Sequence, residues 1–169
     1  IEDLERSIEI CPTFAFAHLH LGTVLASKHR SREGVEHLLT ALRLGLDSSG
    51  LRRHLASAYY DLGEPDLAEQ ECKMALQLDP KCTQACYLLG VIAVKRGRLD
   101  EAIEHWNRTS ALDPELKEVH EGLATVHACK GDYAEAWREV YRFIARGGRP
   151  AREFIAALSA CMPDPGGNH

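Results

Sequence analysis

The sequence predicts an all-α chain of stacked helix–turn–helix units closed by a terminal helix, and three observations predict it. Gly63, Gly97 and Gly131 stand 34 residues apart, as do Ala68, Ala102 and Ala136. Leu21, Leu55, Leu89 and Leu123 keep the same step, and so do Pro80 and Pro114. Between these fixed points the apolar residues recur at helical spacing. Unrelated residue types locked to one period mark an internal repeat, which takes precedence over any single motif.

The elements follow in order. Residues 1–14 read as the second helix and exit of a partial preceding repeat, with Cys11-Pro12 as the stop. Four complete repeats are expected at 15–48, 49–82, 83–116 and 117–150. The second shows the logic most fully. Its first helix, from about Leu51 to Leu62, turns Leu55, Ala58, Tyr59 and Leu62 inward. Gly63 then fits a helix C-terminus that needs positive φ. Pro65 suits the first turn of the next helix, where its missing N–H costs nothing. That helix turns Leu67, Ala68, Cys72, Ala75, Leu76 and Leu78 inward. Asp79-Pro80 stops it, because a residue before proline is pushed out of the α region.

The small residues have a packing reason. Gly22, Ala56, Gly90 and Ala124 on the first helices, and Gly34, Ala68, Ala102 and Ala136 on the second, let paired helices approach closely. The first repeat departs from the rest, with His29 at the turn and Gly45-Leu46 at the stop, so its corner is expected to be the least regular. The exit of the fourth, Arg146-Gly147-Gly148, is expected to be flexible. Residues 151–162 read as a capping helix and 163–169 as a disordered tail.

The totals limit function. With 169 residues, 45% of them hydrophobic and 27% charged, the chain can bury a substantial core. A net charge of −5 argues against nucleic acid, whose phosphates need a basic surface. No apolar run approaches a membrane span. The six cysteines are scattered without Cys-x-x-Cys or zinc spacing, so free thiols in a reducing, cytoplasmic setting are expected. The opening "IEDLERSIEICP" starts in the middle of a helical pattern without a methionine, so it reads as a fragment of a longer protein. The missing targeting segment therefore decides nothing.

The segment "YLLGVIAVKRGRLDEAIEHWNRTSALDP" (Tyr87 to Pro114) resembles the tetratricopeptide repeat in its small, apolar and Asp-Pro places. The resemblance covers nearly the whole chain. It implies a right-handed α-solenoid, no cofactor, and a non-catalytic scaffold that binds a partner protein or peptide in a concave groove lined by the first helices. Carried onto this chain, the groove would be lined by Phe16, Leu19, Thr23 and Ser27, then Arg53, Ser57, Tyr60 and Asp61. Gln84, Tyr87, Val91, Val94 and Lys95 follow, then Glu118, Glu121, Thr125 and Cys129, with Arg152, Ile155 and Ser159 on the capping helix. Tyr60, Tyr87, Val91, Val94, Arg53 and Lys95 are its most informative part, since aromatics beside arginine compose binding hot spots.

The resemblance does not extend to the carboxylate clamp that holds heat-shock chaperone tails. Its places hold Leu19, Thr23, His54, Gln84 and Leu88 in one frame, and Arg53, Ser57, Leu88, Glu118 and Gly122 in the next. The asparagine ladder of glycosyltransferase-linked repeats is also missing.

Other chemistry reduces to structure. Glu101 and His105 share a helix face, like a general-base pair, but His105 takes the place of Glu71 and Glu139 in the neighbouring repeats. That place reads as outward and solvated, while Trp106, at the place of Cys72 and Val140, reads as core. Asn107-Arg108-Thr109 lies inside a helix, which argues against glycosylation. Cys82 and Cys86 lack the further ligands a zinc site needs. No phosphate loop or nucleophile–base pair appears, so catalysis is not expected. Uncovered apolar residues at the two ends leave two expectations: a docking or regulatory arm of a larger enzyme or assembly, and self-association.

Overall fold

The computed structural model describes residues 1–166; residues 167–169 of the expected tail lie outside the described residues. Ten α-helices make up the regular structure among them: α1 (Glu2–Ile10), α2 (Ala15–Ser27), α3 (Ser31–Arg43), α4 (Ser49–Asp61), α5 (Pro65–Leu78), α6 (Thr83–Lys95), α7 (Leu99–Leu112), α8 (Lys117–Lys130), α9 (Tyr133–Ala145) and α10 (Arg152–Cys161). Two compact units divide the chain between Leu88 and Leu89, inside α6. None of the described helices is long and apolar enough to cross a membrane.

In the first unit α2 packs on α3, and α4 on α5. Gly22 and Gly34 set the α2–α3 distance reciprocally. A β-carbon on either would lie 2.8 Å from the other's carbonyl oxygen. The core is Val35, Leu38, Ala41, Leu51, Leu55 and Ala58, with Leu38, Leu51 and Leu55 fully buried. Truncating any of these three leucines to alanine would cost about 2–5 kcal/mol. Ser48 caps α4, its hydroxyl accepting from the Leu51 N–H at 3.2 Å.

In the second unit Trp106 of α7 lies against two glycines. A β-carbon on Gly90 would come within 2.3 Å of its indole, and one on Gly122 within 2.6 Å. Its place in the other repeats holds Leu38, Cys72 and Val140, all smaller. The large ring therefore needs both deletions of side-chain volume around it. At the end of this unit, Ala124, Ala136, Trp137 and Val140 bury Leu158 of α10. The Trp137 indole N–H donates to the Met162 carbonyl at 3.1 Å. Beyond α10, the Gly166 N–H donates to the Tyr141 hydroxyl at 3.0 Å, and that hydroxyl donates to Asp164.

Two expectations about turns are corrected. The His29 corner is as regular as the others. His29 takes φ +60°, and its turn makes the bond from the Arg30 N–H to the Leu25 carbonyl at 3.0 Å. The glycine turns make the same bond: Glu64 to Tyr59, Arg98 to Ala93 and Asp132 to His127, each at 2.9 Å. Six-to-one bonds of this kind satisfy the last helix carbonyls, and they hold a histidine in the left-handed region that it enters at some cost. The exit of the fourth repeat closes in the same way. The Gly148 N–H donates to the Phe143 carbonyl at 2.9 Å, and Gly148 is buried under the Phe143 ring.

Candidate functional site

On the first helices, residues spaced i, i+3, i+7 and i+11 share one face. That face carries the residues expected to bind. In the first unit Phe16, Ser57 and Gln84 are exposed, whereas Leu19, Arg53, Tyr60 and Tyr87 are half-buried. In the second, Lys95 and Glu121 are exposed and Val91 and Val94 half-buried. No residue at these places is buried, so none is consumed by a core. Leu19 comes closest to a structural role, packing against the Val35–Leu38 core.

The face is not flat. Between α2 and α4 a cleft of about 190 Å³ is lined by Thr23, Ala26, Ser27, His54, Ser57 and Asp61. In the second unit a cleft of about 290 Å³ is lined by Thr125, Ala128, Cys129 and Tyr133 with Phe154 and Leu158 of α10. Both open at the same place in the repeat. Ala26 and Ala128 are three periods apart, and the two repeats between them carry Tyr60 and Val94 there. A missing side chain makes each cleft.

The electrostatics of the first cleft are set by Arg53 and His54. The Arg53 guanidinium donates to the His54 Nε2 at 2.9 Å, so that nitrogen must be unprotonated. Burial first, then the charges of Arg53 and His20, push the His54 pKa down to about 4. The imidazole is neutral near pH 7. The sequence period placed His54 on this face only as a chaperone-clamp place whose residue does not fit the clamp. The sign that was available is the pairing of a polar residue with Ala26, one period before the place of Tyr60.

The reading of His105 as a fully solvated residue is corrected in part. A polar pair joins the first helix to the second across 19 residues in three repeats. His18 Nδ1 meets His37 Nδ1 at 3.0 Å, Arg52 donates to Glu71 at 2.9 Å, and His120 Nδ1 meets Glu139 Oε2 at 2.6 Å. His105 occupies the place of His37, Glu71 and Glu139, and it is half-buried. Burial lowers its pKa, against the opposing charge of Glu101. Glu101 itself pairs with Arg98 at 2.7 Å and lies 3.7 Å from His105. The group is a surface ion-pair cluster at the edge of a core, with Trp106 buried beside it as expected.

None of the six cysteines forms a disulfide. Burial, with the neighbouring Cys82 and Cys86, raises the Cys72 thiol to about 12, far from a reactive thiolate. Among the described residues no group of three or more His, Cys, Asp or Glu side chains is arranged to hold a metal. Thr109 of the Asn107-Arg108-Thr109 motif is buried, its hydroxyl donating to the His105 carbonyl at 2.9 Å.

Comparison with known proteins identifies the repeat. Two family profiles, both described as tetratricopeptide repeat, match residues 19–81 and 63–126. The probable biofilm formation methyltransferase WspC of Pseudomonas putida is 31% identical over 123 residues, which are 73% of this chain and 26% of that protein. The human FK506-binding protein-like protein is 33% identical over 76 residues, 45% of this chain and 22% of that protein. The chain thus spans about a quarter, or less, of the length of the curated relatives it matches. Among solved structures, MamA superposes with a TM-score of 0.79 at 21% identity, over 85% of this chain and 84% of that one. YrrB, described as a TPR protein with an unusual peptide-binding site, superposes with a TM-score of 0.73 at 24% identity, over 94% and 84%. These likenesses are of fold, an all-α solenoid of helical hairpins. With two repeat-family matches that together run from residue 19 to 126 on hairpins of the expected period, the chain belongs to the tetratricopeptide repeat family.

Proposed function

We propose that this chain is a non-catalytic protein–protein interaction scaffold that holds a segment of a partner protein against the exposed face of its first helices. The observation that carries this reading is the burial pattern. Large or charged residues, Arg53, Tyr60 and Tyr87 in the first unit and Val91, Val94 and Lys95 in the second, stand at places that no repeat buries. Preformed helices reduce the ordering cost of binding to the partner's side. The fold shared with YrrB, a protein described as having an unusual peptide-binding site, supports a peptide as the occupant. The test is affinity capture from the source cell with the wild-type chain and with a Tyr87→Ala/Arg53→Glu variant, followed by titration of the captured partner. Loss of affinity in the variant is expected; equal affinity removes the face from consideration.

A second reading has its own observation. The match to WspC lies within a protein named as a methyltransferase and covers only part of it. On this reading the repeats are the docking arm of a larger enzyme or assembly. The complete reading frame tests it: a catalytic domain in the same frame supports the arm, and a frame encoding repeats alone removes it.

A further inference from the structure

The cleft between α2 and α4 presents more hydrogen-bond acceptors than donors: neutral His54 keeps its proton on Nδ1 and Ser57 adds a hydroxyl, but the other polar groups only accept. The Thr23 hydroxyl donates to the Leu19 carbonyl at 2.9 Å, and the Ser27 hydroxyl to the Val24 carbonyl at 2.8 Å. Their protons are taken up by their own helix, so both turn only lone pairs into the cleft. Asp61 adds a carboxylate, an acceptor only, which has no hydrogen-bond or ion-pair partner among the described residues. Ser27 and Asp61 are also the last residues of α2 and α4, so the negative ends of two helix dipoles lie at the same opening. Asp61 rims a second cleft with Arg30 and Arg32. Arg30 is already held by both carboxylate oxygens of Glu33, at 2.7 and 2.6 Å, and Arg32 makes no ion pair with Asp61.

The size is as telling as the chemistry. About 190 Å³ is below the roughly 300–1,000 Å³ of small-molecule sites and suits a single side chain. A lysine ammonium brings three donors and no acceptor, and a guanidinium five donors and none. Either complements an acceptor-lined cleft. Asp61 and the two helix C-termini disfavour a carboxylate there, although the Arg53 guanidinium held on His54 lies nearby, and an aliphatic side chain would leave the acceptors unpaired. The chain's net charge of −5 favours the approach of a basic segment.

We propose that this cleft anchors a lysine or arginine side chain of the partner segment, with its nitrogen donating to Asp61, Thr23 and Ser27. The proposal rests on the partner-binding reading of the first-helix face. The test is selection of a random-peptide phage library on the full chain. Each binder is then measured against Tyr60→Ala and Tyr87→Ala, which define face-dependent binding, and against Asp61→Asn and Ser27→Lys. Asp61 and Ser27 are exposed, and unchanged melting curves verify the fold. Ser27→Lys supplies a resident ammonium that competes for the cleft. The expected result is a lysine or arginine in the face-dependent binders, with affinity reduced about tenfold or more by either cleft variant. Face-dependent binders without a basic residue, or with affinity unmoved by Asp61→Asn, overturn the basic anchor and leave the face standing. Binders indifferent to both tyrosine variants count against the face itself, and the anchor falls with it.

Discussion

Trp106 lies against Gly122 so closely that a β-carbon on that glycine would sit 2.6 Å from its ring. The residue one period earlier is Leu88, and one period later Ala156. The glycine answers the tryptophan.

Gly122→Ala should therefore destabilise the protein. Overpacking costs about 1–3 kcal/mol, against a gain of about 1 kcal/mol in helix propensity. In a Trp106→Leu background, with the leucine of the first repeat in that place, Gly122→Ala should become neutral or favourable. Urea unfolding of the four members of this cycle measures the coupling. An additive cycle would mean that the two residues do not share space.

His29→Gly should stabilise. The histidine holds φ +60° in a turn whose bonds match those of the glycine turns. Relief of left-handed strain of about 1–2 kcal/mol outweighs the chain entropy that glycine adds to the unfolded state, about 0.5–1 kcal/mol. A small rise in melting temperature is expected, and a fall would show that the imidazole makes a contact worth more than the strain.

Stability should fall with acid through His54. Its folded pKa of about 4 lies below the ordinary 6.5. As pH drops, the unfolded chain takes the proton first. The contribution is whole above about pH 6.5 and is lost progressively towards pH 4. His37, also lowered by burial and by His18, acts in the same direction. Calorimetric melting across this window should show a steeper decline for the wild type than for His54→Gln. Parallel declines would remove His54 as the cause.

Two glutamates on α9 should separate sharply. Glu139 is buried, bound to His120 and to Arg142. Glu139→Ala leaves the His120 N–H buried without its acceptor and should cost about 1–3 kcal/mol. Glu135 pairs with Arg138 at the surface, and Glu135→Ala should stay within about 0.5 kcal/mol. Chemical denaturation of the two variants side by side decides this. Similar losses would mean that the buried pair contributes no more than the exposed one.

The hairpins were legible in the sequence because glycine turns, alanine contacts and Asp-Pro stops are local devices repeated at one period. Trp106 was legible as core because its counterparts are apolar. The place of His105 was misread for a physical reason. A half-buried polar residue at a helix edge looks the same, in one sequence, as a fully solvated one. Positions 18, 52 and 120 are polar as 37, 71 and 139 are, but the matching place opposite His105 is Cys86, so the pairing gave no sign for His105 itself. The cleft at Ala26 was hidden because alanine on a first helix reads as close packing. Only geometry shows that the space left by the absent tyrosine stays open.

The cross-helix pairs and turn bonds have a kinetic consequence. Each turn closes over five residues and each polar pair over nineteen. Contacts this near in sequence form quickly. A chain assembled from them has several nuclei and opens by segments rather than all at once. Hydrogen exchange should resolve it into hairpins with separate lifetimes, and the most exchange-labile hairpin will be the first exposed to proteases.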